Sequence, residues 1–156
     1  MNRYFKEVLD AHELIRNWLG NKEAHDEVCE ELLARFSPAY SMVTPGGALL
    51  DFTTLNGFFR TQRGARPGLA IDICDMQMVA ESEGNATVVY KELQQLPGQE
   101  ATLRFSTVVF EVNDAGKVLW RHLHETSLPK PQMLSIRSVS GRDGLRATAC
   151  RLNRIS

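Results

Sequence analysis

The sequence predicts a single α+β domain, N-terminal helices packed on an antiparallel sheet, and three observations carry that expectation. Apolar residues recur at helical spacing through the first third of the chain. From Leu69 onward the period changes to two, in four runs rich in β-branched and aromatic residues. No glycine-rich linker and no internal repeat divides the 156 residues, a length that suits one domain.

The first element is an amphipathic helix. Phe5, Val8, Leu9, His12, Ile15 and Leu19 share one stripe, while Lys6, Glu7, Asp10, Glu13 and Arg16 occupy the other faces. Gly20 stops it, and Asn21 is expected to cap a second helix whose stripe is Val28, Cys29, Leu32, Leu33 and Phe36, ended by Ser37-Pro38. Residues 40–43 and 48–52 flank Thr-Pro-Gly-Gly and read as a small hairpin. Asp51, Thr53 or Thr54 then caps a short helix carrying Leu55, Phe58 and Phe59, followed by a loop in which Arg60, Arg63 and Arg66 gather.

Four long strands follow at about 69–80, 85–95, 101–112 and 117–127, separated by Glu-Gly-Asn, Leu-Pro-Gly-Gln and Asn-Asp-Ala-Gly. The domain is therefore assigned to residues 1–129. Residues 130–156 form a basic tail without aromatic residues, expected as an added strand, a partner-binding arm or a disordered segment.

Charge narrows the function classes. Residues 1–129 hold 12 Lys+Arg against 18 Asp+Glu, and the tail holds 6 against 1. An acidic body argues against a nucleic-acid platform, which needs a cationic surface. The start of the chain carries charges throughout and no run is long and apolar enough to span a bilayer, so neither a signal peptide nor a membrane partner is expected. Cys29, Cys74 and Cys150 show no CxxC spacing and no histidine pair, so neither a disulfide framework nor a zinc site is suggested, and a reducing cytoplasm is the plainer compartment. The P-loop, dinucleotide fingerprint, nucleophile elbow and HExxH motifs are missing, so no cofactor and no metal is expected.

The order helix, helix, hairpin, short helix, long meander resembles the NTF2-like superfamily, in particular its SnoaL-like and ketosteroid-isomerase-like branch of uncharacterised domains. The resemblance spans about residues 4–129. It rests on Phe36-Ser-Pro-Ala-Tyr-Ser-Met-Val-Thr-Pro-Gly-Gly47, on Phe58-Phe59, on Arg104-Phe-Ser106 and on Trp120-Arg-His-Leu-His124-Glu-Thr-Ser-Leu-Pro129. It implies an NTF2-like (cystatin-like) cone with a pocket inside, and commonly a homodimer formed sheet to sheet. The last motif is similar to a Trp-x-x-x-His ending, with Thr126 where a second histidine is frequent.

The turn Asn113-Asp-Ala-Gly116, closed by a glycine bulge, sets Phe110 opposite Trp120, Val108 opposite His122, Ser106 opposite His124 and Arg104 opposite Thr126. The Pro97-Gly98 turn adds Tyr90 beside Ser106 and Glu92 beside Arg104. Such a face offers an aromatic wall from Trp120 and Tyr90, hydrogen-bonding His122, His124 and Ser106, and a cation at Arg104, a site for a small amphiphilic or anionic molecule. A one-residue slip would scatter this set across both faces.

His124 is the candidate general acid or base, because the ordinary value of a histidine lies near neutrality, with Arg104 assisting. On a half-buried sheet the same residues also make a plain cross-strand network, with Glu92 and Arg104 an ion pair. His12, Tyr40 and Met42 are candidate pocket residues, and Arg60, Arg63 and Arg66 candidate steering charges. Asp72 and Asp75 fall on opposite faces and cannot form a carboxylate pair. The alternate face, Leu103, Phe105, Val109, Leu119 and Leu123, is large to leave wet and is the expected dimer surface. The leading expectation is a homodimeric small-molecule binder. Its rivals are a cofactor-independent isomerase, dehydratase or hydrolase using His124, and an assembly or adaptor module.

Overall fold

A computed structural model describes residues 1–129 throughout and the backbone of residues 132–138 and 145–153. The element order is α1 (Arg3–Gly20), α2 (Asp26–Leu33), β1 (Phe36–Val43), β2 (Leu49–Asp51), α3 (Phe52–Thr61), β3 (Ala70–Ser82), β4 (Asn85–Gln95), β5 (Thr102–Val112), β6 (Val118–Ser127), β7 (Gln132–Ser138) and β8 (Leu145–Asn153). The strands form one sheet ordered β2-β1-β6-β5-β4-β3-β8-β7. Neighbours are antiparallel except β1 with β6 and β3 with β8. Residues 132–138 and 145–153 thus lengthen the sheet by two strands at the β3 side.

Local chemistry explains most boundaries. Asn2 caps α1 by accepting from the Tyr4 N–H at 2.8 Å, and Asp51 caps α3 by accepting from Thr54 N–H at 2.9 Å. Asn21 does not cap α2. Its side chain instead accepts from Glu23 N–H at 2.9 Å in a turn, and α2 begins after His25. Phe36 does not extend the α2 stripe either; it opens β1 and pairs with Trp120, because the Trp120 N–H donates to the Arg35 carbonyl at 2.9 Å and pulls this segment into the sheet.

The inner face of β4, β5 and β6 meets α1. Tyr4 stacks on Phe110 at 5.7 Å, Phe110 meets Trp120 edge to face at 5.0 Å, and Val8, Val88 and Val108 are fully buried between them. Trp18 Nε1 donates to the Phe59 carbonyl at 2.7 Å, tying α1 to α3. The loop after α3 crosses α1 closely: Gly64 N–H donates to the Trp18 carbonyl at 2.9 Å, and its φ of +64° lets the backbone pass beside Lys22.

Among the described residues no helix is long and apolar enough to cross a membrane. Cys29 is a buried free thiol, whereas Cys74 is disulfide-bonded, which corrects the expectation that the cysteines make no bridge.

Candidate functional site

The sheet curls so that β1, β4, β5 and β6 form one wall of a cavity of about 340 Å³, with α1 and α3 forming the other. Most of the wall is apolar: Ile15 and Leu19 from α1, Phe36 and Met42 from β1, Leu55, Phe58 and Phe59 from α3, and Leu123 from β6. Pro45 and Phe58 line it while also being exposed, which marks where it opens. The polar lining includes His12, Tyr40, Arg66, Glu92, Gln94, Arg104 and Glu125, so an apolar pocket ends in charge.

The register on that face follows from two turns and one irregularity. Tyr90 pairs with Ser106 and Glu92 with Arg104, as the Pro97-Gly98 turn predicts. The Asn113–Gly116 turn also forms as expected, with Asn113 N–H donating to the Lys117 carbonyl at 2.9 Å, Gly116 at φ +79°, and Phe110 opposite Trp120. The next pair is Val109 with His122: a bulge at Arg121 inserts one residue into β6. Beyond it Val108 faces Leu123, Ser106 faces Glu125 and Arg104 faces Ser127, so the expected pairs with His122, His124 and Thr126 are each displaced by one. Arg121 Nη1 holds the bulge by donating to the Ala39 carbonyl at 2.6 Å.

The consequence is a different inner face. Trp120, Leu123 and Glu125 point inward, and Leu123 leaves the expected dimer surface. His124 is exposed on the outward face, and His122, half-buried there, lies with Nδ1 2.6 Å from Ser41 Oγ. Of the other sequence-predicted residues, His12, Tyr40, Met42, Glu92, Arg104 and Trp120 line the cavity, while Tyr90 and Ser106 are buried on the same inner face behind it. Of Arg60, Arg63 and Arg66, only Arg66 lines the cavity. Arg60 pairs with Glu30 at 2.6 Å, and Arg63 pairs with Asp26 and sits over the Trp18 ring. Asp75 lies at a β3 bulge with φ 55° and pairs with Lys91 at 3.1 Å, away from the cavity.

Two linked carboxylate groups make up the floor. In the first, His12 Nδ1 donates to the Val8 carbonyl at 2.7 Å, and Nε2 lies 3.0 Å from Glu92 Oε1. With Nδ1 already donating, a hydrogen on Nε2 as well makes the ring an imidazolium facing a carboxylate. Burial opposes that charge, but the Glu92 carboxylate and the Val8 carbonyl outweigh it and raise the His12 pKa. Burial also opposes charge on Glu92, and His12, Arg104 and a hydrogen bond from the Gln94 amide hold that carboxyl well below the usual range.

In the second group, Glu125 accepts from Ser106 Oγ at 3.1 Å through Oε2 and from Arg104 Nη1 at 3.3 Å through Oε1. Its balance runs the other way. Burial and the nearby Glu92 charge push its pKa up, and Arg104, His12 and Ser106 only partly offset them. Tyr40 and Tyr90 are held neutral by burial, and among the described residues the buried Tyr90 hydroxyl makes no hydrogen bond of good geometry, with Ser106 lying opposite.

Glu125 is the main residue that strict alternation misses. One signal was present: Trp120 and Leu123, both large and apolar, are three apart and share a face only across a bulge. Among the described residues no group of three or more His, Cys, Asp or Glu is arranged to hold a metal.

The same architecture recurs in solved structures. An NTF-2 like protein of unknown function from Pseudomonas aeruginosa is 40% identical over 81% of this chain and 98% of its own, with a TM-score of 0.76. An NTF2-like protein from Cytophaga hutchinsonii is 14% identical over 82% and 100%, with a TM-score of 0.61. The association domain of C. elegans CaMKII is 14% identical over 80% and 95%, also at 0.61. The last two share the fold alone. No family model and no curated protein matches the chain. Identity and coverage against the Pseudomonas protein, on the helix-lined curved sheet described above, establish that this chain belongs to the NTF2-like proteins.

Proposed function

We propose that this chain binds a small amphiphilic molecule in the cone cavity, apolar end toward the mouth and polar end on the charged floor. The observation that carries this is a cavity of about 340 Å³ whose apolar walls end at Arg104, Glu125 and the His12–Glu92 pair. A packed core would fill that volume with side chains. Native mass spectrometry of freshly purified protein, under gentle and then stripping conditions, is expected to show a discrete mass that leaves intact. A complementary readout is titration with 1-anilinonaphthalene-8-sulfonate, which Met42→Trp should block without unfolding the chain. No retained mass, together with probe binding that Met42→Trp does not change, would end this reading.

The functional unit in this reading is a homodimer. The outward sheet face supports it by exposing Phe105 to 42% and Val79 to 60%, with Val109 partly covered. Sedimentation should give twice the chain mass, and Phe105→Asp should give the monomer.

A second reading is favoured by the setting of Glu125. A buried carboxyl pushed toward its neutral form beside an arginine is placed to give up and take back a proton. In that case the protein is a cofactor-independent isomerase, dehydratase or hydrolase of the SnoaL-like or ketosteroid-isomerase-like kind, with Glu125 in the role first given to His124. Glu125→Gln would then abolish turnover while His124→Ala would leave it intact.

A further inference from the structure

We propose that the cavity selects a molecule whose polar end is a single carboxylate, and that Arg66 is the residue that sets this choice. The inference rests on the binding reading above and names the ligand class and the group that recognises it.

Five lining groups can carry charge: His12, Arg66, Glu92, Arg104 and Glu125. Four of them cancel in pairs. His12 Nδ1 donates to the Val8 carbonyl and Nε2 lies 3.0 Å from Glu92 Oε1, so a proton lies between ring and carboxyl, and the pair sums to zero on whichever side it sits. Glu125 accepts from Arg104 at 3.3 Å, and those two charges also cancel. A proton on Glu125 would only enlarge the positive excess. What remains is Arg66. Among the described residues it has no carboxylate partner, unlike Arg60 and Arg63, which are engaged by Glu30 and Asp26. A ligand bearing one negative charge balances the lining. A cation would add to the excess, and a neutral molecule would leave it in place.

The chain holds Arg66 firmly for this use. Its N–H donates to the Leu19 carbonyl at 2.8 Å and its carbonyl accepts from Leu69 N–H at 3.1 Å, while Gly64 N–H bonds the Trp18 carbonyl just before it. Pro67 follows and restricts the Arg66 backbone further. The loop is thereby stapled along the last turn of α1, beside Leu19, which itself lines the cavity. The residue is half-buried, and its buried Nε makes no hydrogen bond among the described residues. A loop arginine that served only to be solvated would keep that donor in water.

The same count favours a carboxylate over a dianionic phosphate, since one charge balances the lining and two overshoot. Two coplanar oxygens also match the fork of a guanidinium. Long-range attraction cannot supply such a preference, because residues 1–129 hold 12 Lys+Arg against 18 Asp+Glu and repel an anion. The selectivity is local to the cavity.

The test titrates octanoate, octanol and octylammonium, matched in chain length, calorimetrically into the full chain at about pH 7.5, where octanoate is ionised. Octanoate is expected to bind at least about tenfold tighter than octanol, the worth of one hydrogen bond to a charged group, and octylammonium more weakly than octanol. Arg66→Gln should weaken octanoate to within about threefold of octanol, and Arg66→Lys, which keeps the charge without the fork, should retain most of the preference. If Arg66→Gln does not fold, Arg66→Met, which keeps the apolar stem, replaces it with the same expectation. Octanol or octylammonium binding as tightly as octanoate, or a preference for octanoate that loss of the Arg66 charge leaves unchanged, overturns the proposal while leaving the pocket. Failure of all three probes to bind overturns the pocket with it.

Discussion

His12 on α1 and Glu92 on β4 meet at 3.0 Å across the core, their side chains only 4% and 5% exposed. Because the chain brings together residues eighty apart, this contact fixes where the first helix sits on the sheet. Removing one charge of a buried pair leaves the other unpaired in the interior. Glu92→Ala is therefore expected to destabilise the fold by about 3–5 kcal/mol, read from the urea midpoint.

The pair also sets a pH dependence. His12 is raised in the folded chain, so the fold binds its proton more tightly than the unfolded chain does. Its contribution is complete below the ordinary histidine value and is lost as pH rises through the folded one. Glu125, also raised, has the same sign over a window that starts at the ordinary carboxylate value. Glu92 is lowered, so its contribution is present above that value and lost in acid. Melting temperature should fall on both limbs, and His12→Asn should flatten the alkaline one.

At Gly64 a Cβ would stand 2.5 Å from the Lys22 Cα with φ at +64°. Gly64→Ala must either strain the backbone or move the loop off α1. A loss of about 1–3 kcal/mol in chemical denaturation is expected.

The bulge in β6 separates neighbours by role. His124→Ala, at an exposed position, should change stability by less than about 0.5 kcal/mol and leave ligand titration unchanged. Leu123→Ala, one residue away and buried against the cavity, should cost about 2 kcal/mol or more and weaken binding.

The fold was legible because it is written in long periodic runs: the strand at 85–95 is read to the residue, and the turns at Pro97-Gly98 and Asn113–Gly116 set the pairing beside them. Local competition was not legible. Asn21 caps a turn rather than α2, and Phe36 goes to the sheet because Trp120 bonds the Arg35 carbonyl from a distant strand. Half of the floor could be read, since Glu92 and Arg104 are directly opposite. The other half lay beyond Arg121, whose guanidinium secures the bulge by bonding the Ala39 carbonyl, a tertiary contact that alternation cannot contain.

That single inserted residue acts as a reading frame for side-chain direction. In one frame the segment Trp120–Thr126 would present His122 and His124 to the interior; in the frame adopted it presents Leu123 and Glu125. Two chemistries, one imidazole and one carboxyl, are stored in the same seven letters. A cone of this kind can thus exchange the reactive character of its chamber by gaining or losing a bulge, without a substitution among the residues that face it.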